Sequence, residues 1–228
     1  MIGVYDYTVI LTYLSMMSGA VGIIATMTGI GHPYIGIIFL MISGFLDGFD
    51  GRVARTKKNR TEFEKNFGVQ IDSLSDLICF GVLPAAIGIA QLRKNGIFTE
   101  LVRRKEYEGH YSIMILLIAI TVIYILAALI RLAYFNVTID ERKKQAAETG
   151  VEYFTGLPVT SAALIFPLAL ILNFYIKADL TIWYFLIMLL VAVMFLLNVK
   201  VRKVGNKGMI VIVLLGLVEF ISTIMIVC

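Results

Sequence analysis

The stretch DGFDGRVAR, residues 47–55, followed by GVQIDSLSD, residues 68–76, sets four aspartates at the borders of two apolar runs. An ionised carboxylate at membrane depth costs about 2.5–3.5 kcal/mol even on a lenient insertion scale. Four close together also repel one another, so the cluster calls for cations. On helices, Asp47 and Asp50 are three residues apart and Asp72 and Asp76 four, so each pair occupies one helical face. Two helices running antiparallel around a 51–67 loop bring the pairs to similar depth, just below one membrane surface. All-oxygen ligands suit Mg²⁺ or Mn²⁺, and no neighbouring His or Cys argues for zinc. Two such ions roughly 3.5–4 Å apart form a device for phosphoryl transfer, stabilising charge on the transferring group and the leaving oxygen. Arg55 can add a forked phosphate contact, and Gly51 and Gly68 let a phosphorylated ligand approach the backbone. The stretch predicts an enzyme acting on a phosphorylated substrate at a membrane interface.

The rest of the chain supplies a membrane setting. Of 228 residues, 59% are hydrophobic and mean hydropathy is +0.89, more apolar surface than a soluble domain can hide. The expected fold is an all-α integral membrane bundle of about seven spans, with six to eight as the range. They run near Thr8–Ile30, Pro33–Asp50, Phe67–Ala90, Tyr111–Asn136, Pro158–Ile176, Leu180–Val199 and Gly208–Cys228. Pro33 is placed to start a helix, and Pro84 is expected to kink the third span. Residues 1–228 read as one membrane-embedded domain, with 200–228 an additional C-terminal helix. The N-terminus lacks a basic n-region, so the first run is taken as a retained helix.

Charge placement gives the orientation. The loops after spans two, four and six carry thirteen Lys or Arg residues and the opposite side six, which puts the acidic hairpin at the cytoplasmic face of the cell membrane. The net charge of +4 is therefore an orientation and anionic-lipid signal, and no nucleic-acid partner is expected. Cys79 and Cys228 lie in apolar runs without metal-ligand spacing and read as buried packing thiols.

Asp47-x2-Asp50-Gly51-x2-Ala54-Arg55, then Gly68-x3-Asp72-x3-Asp76, resembles the signature of the CDP-alcohol phosphotransferases, with eight positions in order. That resemblance implies a helical membrane bundle that moves a phosphorus group from a CDP-linked alcohol to another alcohol, releasing CMP. It implies that Asp47, Asp50 and Asp72 bind metal, and that Asp76 contacts the second ion and serves as base. Gly51, Ala54, Arg55 and Gly68 would surround the cytidine diphosphate, and a homodimer is expected on the same ground. RLAYFN (131–136), GLPVTSAA (156–163) and LTYLSMMSG (11–19) resemble segments of the integral-membrane phosphatidylserine synthases, with Tyr134, Ser15 and Thr160 departing from the pattern. The expected reaction is then CDP-diacylglycerol, or an ether-lipid analogue, plus L-serine. Arg131 would partner the serine carboxylate, and Asn136 would orient the amino acid.

Plainer readings stand beside these. Arg131 can simply snorkel or bind lipid phosphate, and Asn136 can simply end its helix. Glu219, alone in the seventh span, is a functional suspect by default, yet it lacks an evident cationic partner in sequence. His32 and His110 have no clear role. A related enzyme with glycerol phosphate or inositol phosphate as acceptor would ask for more basic residues in the pocket. A divalent-cation transporter has no use for the ordered Gly, Ala and Arg positions.

Overall fold

The computed structural model describes residues 2–29, 33–94, 108–149, 153–176, 181–202 and 206–227. The expectations for His32 and Cys228, and for most of the mixed-charge segment 91–110, lie outside them. Helix α1 (Tyr7–Thr28) is started by the Asp6 side chain, which accepts from the Thr8 amide at 2.9 Å, and stopped by Gly29 in the left-handed region at φ +70°. An aspartate N-cap and a left-handed glycine just past the end satisfy the orphan groups of the two termini. Helix α2 (Pro33–Thr56) opens on its proline and folds back along α1.

Small residues let these two helices touch. A Cβ on Gly22 would stand 2.8 Å from Phe39 Cβ, and one on Gly36 would strike Thr26 Oγ1. The approach places Ser15 and Ser43 in a reciprocal clasp. Ser43 Oγ donates to the Ser15 carbonyl at 3.0 Å and Ser15 Oγ to the Ser43 carbonyl at 3.2 Å. With little hydrophobic drive between helices in lipid, such close packing and interhelical hydrogen bonds carry the association.

The third helical run is longer and less regular than the expected span. Helix α3 (Glu62–Asp76) passes into a π-helical turn (Leu77–Val82) and then α4 (Leu83–Lys94). The irregularity expected at Pro84 takes the form of this π turn. Pro84 has no N–H to give the Phe80 carbonyl four residues back, and the buried Tyr124 hydroxyl bonds that carbonyl at 2.5 Å. Tyr184 hydroxyl donates to the Pro84 carbonyl at 2.9 Å.

Helix α5 (Glu108–Val137) carries Tyr124, and α6 (Ile139–Thr149) continues from it through a polar passage. A short strand β1 (Tyr153–Thr155) and a 3₁₀ turn (Val159–Ser161) lead into α7 (Ala162–Ile176). Then come α8 (Thr181–Leu196), β2 (Lys200–Arg202) and α9 (Asn206–Val227). β1 and β2 pair antiparallel, Phe154 opposite Val201; this three-residue ladder is the one departure from an all-α fold among the described residues.

The core lies where the π turn, α4, α5, α7 and α8 meet. Tyr124 and Phe166 pack edge-to-face at 5.5 Å, and Phe166 stacks obliquely on Tyr184 at 5.1 Å. Both tyrosine tips are satisfied by the carbonyls around Pro84, as buried phenols require. Among the described residues five helical runs are long and apolar enough to cross a membrane: Tyr7–Thr28, Glu62–Arg93, Ser112–Val137, Val159–Ile176 and Gly208–Ile226. α8 is apolar but 16 residues long, and α2 ends in a charged turn. Outward faces crowded with exposed Leu, Ile and Val fit a lipid solvent rather than water. The chain is an integral membrane protein.

Candidate active site

α2 runs six residues beyond Asp50, so the Gly51–Arg55 segment is helical rather than looped, and α3 begins at Glu62. The connection between them is therefore 57–61, not the expected 51–67. At 1.5 Å per residue this sets Asp50 about 9 Å back from the end of α2 and Asp72 about 15 Å into α3. The acidic pairs sit deeper in the hairpin than the sequence spacing implied.

The short connection is pinned by charge. Lys57 Nζ bridges Asp6 Oδ2 at 2.6 Å and Glu64 Oε1 at 2.7 Å. Thr61 and Glu64 form a capping box, the Thr61 amide donating to Glu64 Oε2 at 2.8 Å and the Glu64 amide to Thr61 Oγ1 at 3.2 Å. This motif satisfies two orphan donors of the α3 N-terminus at once. Lys57 beside Asp6, with help from Thr8, holds the Asp6 carboxyl down at about 2.

All four aspartates converge. Asp47, Asp50 and Asp72 each offer one carboxylate oxygen within 4.8 Å of the others. Asp76 joins through Asp47, with which it interacts, as Asp72 does with Asp50. Asp50 is buried and accepts from Thr12 Oγ1 at 2.8 Å, which fixes the rotamer of that carboxylate. Ser75 Oγ in turn donates to the Thr12 carbonyl at 3.3 Å, so α1 braces both acidic helices. A dense all-oxygen donor set with one ligand oriented from behind fits a hard divalent cation. Asp76 lies on the last residue before the π turn, a place where such turns recur at functional sites.

The glycines of the pattern lie under guanidinium groups. Arg55, exposed, folds back so that its Nη1 is 3.6 Å from where a Cβ on Gly51 would stand. Ala54 is half-buried on the same turn. Gly68 has Arg60 Nη2 at 2.8 Å from its Cβ position.

Arg131 and Asn136 are drawn into different contacts. Arg131, 5% exposed, donates through Nε to the Leu157 carbonyl at 3.3 Å. The RLAYFN and GLPVTSAA segments thus meet each other. Gly156, at φ +75°, has its amide on the Val199 carbonyl at 2.7 Å. Its Cβ position lies 3.0 Å from two carbonyls of the 195–197 turn, which leaves room for glycine only. Phe135 lies between two guanidinium groups, Arg131 at 5.5 Å and Arg142 at 3.6 Å. Asn136 Nδ2 donates to Ser73 Oγ at 2.8 Å, which ties α5 to the residue after Asp72.

Of the three departures, Ser15 is buried in the α1–α2 clasp and its Oγ lies 3.7 Å from Cys79 Sγ. Tyr134 is half exposed and Thr160 is half-buried in the 3₁₀ turn. Cys79 is buried and unpaired, donating to the Ser15 carbonyl at 3.2 Å. Glu219 Oε2 is buried without a hydrogen-bond partner among the described residues. Thr12, Ser73 and Arg60 were missed in the sequence. Thr12 stood inside the LTYLSMMSG stretch and Arg60 in a basic run, but neither position announced its partner.

The chain is similar to known proteins over much of its length. A family model described as CDP-alcohol phosphatidyltransferase matches residues 8–227. The CDP-diacylglycerol–serine O-phosphatidyltransferase of Saccharomyces cerevisiae is 34% identical over 166 residues, 69% of this chain and 52% of that protein. A Helicobacter pylori protein of the same name is 28% identical over 62% of this chain and 48% of its own length. The archaetidylserine synthase of Methanothermobacter thermautotrophicus is 26% identical over 86% of this chain and 70% of its own length. The chain spans about half the length of the yeast and Helicobacter relatives. With the match running through the acidic hairpin and on to α9, the chain belongs to the CDP-alcohol phosphatidyltransferase family.

Proposed function

We propose that this chain transfers a phosphatidyl group, or its ether-lipid equivalent, from CDP-diacylglycerol to L-serine, giving phosphatidylserine and CMP. The observation that carries the reading is the convergence of four carboxylates from α2 and α3, three of them with oxygens within 4.8 Å. The names of the relatives, which specify serine as acceptor in yeast, Helicobacter and the archaeon, support the choice of alcohol. CDP-diacylglycerol appears in the yeast and Helicobacter names and archaetidylserine in the archaeal one, so the reading admits either lipid tail. The ordered glycine, alanine and arginine positions speak for a nucleotide ligand rather than a transported cation.

Asp47, Asp50, Asp72 and Asp76 would hold two divalent cations, Mg²⁺ or Mn²⁺, which when bound supply charge neutralisation for the diphosphate. Gly51, Ala54 and Gly68 leave backbone open for the cytidine diphosphate, and Arg55 pairs with a phosphate oxygen. Asp76 accepts the serine hydroxyl proton as that oxygen attacks the lipid-side phosphorus. The new O–P bond forms while the bond from that phosphorus to the CMP phosphate oxygen breaks. Arg131 and Asn136 read the amino acid, the first through its carboxylate. The acidic hairpin opens to the cytoplasm at the cell membrane, following the loop charges, and the enzyme works as a homodimer in contact with membrane lipids.

The test is CMP release by the purified chain from diacyl and ether CDP-lipids, with serine, glycerol phosphate or inositol phosphate as acceptor. Serine-dependent release that vanishes with chelator and returns with Mg²⁺ or Mn²⁺ is expected. Preference for a phosphorylated acceptor sinks the serine assignment. Asp76→Asn should abolish release while the protein stays folded, and wild-type turnover there removes Asp76 from the role of base.

A further inference from the structure

Arg60 lies in the connection between α2 and α3, and the proposed reaction gives it no role. Its guanidinium is laid across Gly68, one helical turn before Asp72 on the same face of α3. Nη2 donates to the Glu64 backbone carbonyl at 3.1 Å, and Nε is buried with no hydrogen-bond partner among the described residues. The Glu64 carboxylate is already engaged by Lys57 and by the Thr61 amide. Among the described residues no carboxylate is paired with Arg60. A half-buried guanidinium with an unmatched Nε, lying over the glycine one turn before Asp72, is poorly explained by stability alone, because an unmatched buried donor costs about 1–3 kcal/mol.

The arrangement has a counterpart across the hairpin. Arg55 covers Gly51 from α2 as Arg60 covers Gly68 from the loop. From these observations, and resting on the nucleotide reading above, we propose that Arg60 is a second phosphate-contacting arginine, which lifts off Gly68 to grip the phosphate of the cytidine nucleotide. Gly68 is then needed twice: to let the guanidinium rest there, and to clear the space that the ligand takes. A guanidinium suits this work because its planar fork matches two phosphate oxygens.

The experiment measures binding of CMP and of cytidine to the full chain in detergent with Mg²⁺ present, by calorimetry, for wild type, Arg60→Ala and Arg60→Gln. Gln keeps a donor for the Glu64 carbonyl and removes the charge. CMP affinity is expected to fall about tenfold or more in both variants, the loss of one charge-assisted contact, with cytidine affinity unchanged. Thermal melts run alongside. Unchanged CMP affinity with a lowered melting temperature makes Arg60 a structural plug and overturns the proposal. An equal loss for cytidine overturns the phosphate assignment. If the wild type binds no CMP, the nucleotide site itself falls and Arg60 with it, which separates that failure from the first.

Discussion

Replacing Thr12 by Val keeps the shape of a buried side chain and deletes one hydroxyl. That hydroxyl donates at 2.8 Å to Asp50 Oδ2, a carboxylate that is 8% exposed and one of the three that converge at the proposed cation site. A hydrogen bond to a charged group contributes about 1.5–3 kcal/mol. Loss of a group that orients a metal ligand typically lowers metal affinity by about 10–100-fold, which is about 1.4–2.7 kcal/mol. The two estimates coincide. Thr12→Val should therefore raise the Mg²⁺ or Mn²⁺ concentration needed for half-maximal CMP release by about tenfold or more, while turnover at saturating metal changes little. Thr12→Ser, which retains the hydroxyl, should stay near wild type. An unchanged metal dependence in the Val variant, with the protein folded, would refute the view that α1 holds the ligand set in place.

Other substitutions test the scaffold. Gly19→Ala puts a methyl 2.6 Å from Cys79 Sγ, so melting should report about 1–3 kcal/mol of destabilisation, most of it recovered in a Cys79→Ala background. Tyr124→Phe leaves the Phe80 carbonyl without its 2.5 Å donor and should cost about 1–3 kcal/mol; adding Pro84→Ala, which restores an amide, should cost less than the two changes summed. The Lys57 clamp lowers Asp6 from 3.8 to about 2, so its stabilisation is complete above about pH 4 to 5 and disappears as pH falls through about 2. A melting-temperature difference between wild type and Asp6→Asn should then hold constant from pH 5 to 8, small as exposed pairs are, and narrow below pH 4. Widening at low pH would contradict the ion pair.

Where the sequence spoke clearly, it did so through spacing. Three- and four-residue intervals place Asp47 with Asp50 and Asp72 with Asp76 on single faces, and the structure brings all four together. Apolar runs located the long helices to within a few residues, because lipid forces every backbone group to bond within its own segment. Less legible were the partners chosen by packing. Nothing local distinguishes Thr12, which grips Asp50, from Thr8 or Thr26. Nor does the spelling of RLAYFN say that Arg131 leans on the Leu157 carbonyl, since that contact spans 26 residues. The 51–67 region looked like loop because it is polar. Yet Arg52 and Arg55 ride the last turns of α2, and Glu62 and Glu64 the first turn of α3, where negative charge favours a helix start.

The π turn at Leu77–Val82 bears on how this protein can change length. An α-helix advances about 100° per residue, and a π turn absorbs one extra residue without breaking the rod. Deleting a single residue there would turn α3 about 100° against α4. With α4 locked into the aromatic core through Tyr184, the rotation would fall on the free half. Asp72 and Asp76 would swing away from Asp47 and Asp50. The proposed activity should then be lost, so substitutions across 77–82 should be tolerated far more readily than any change in their number.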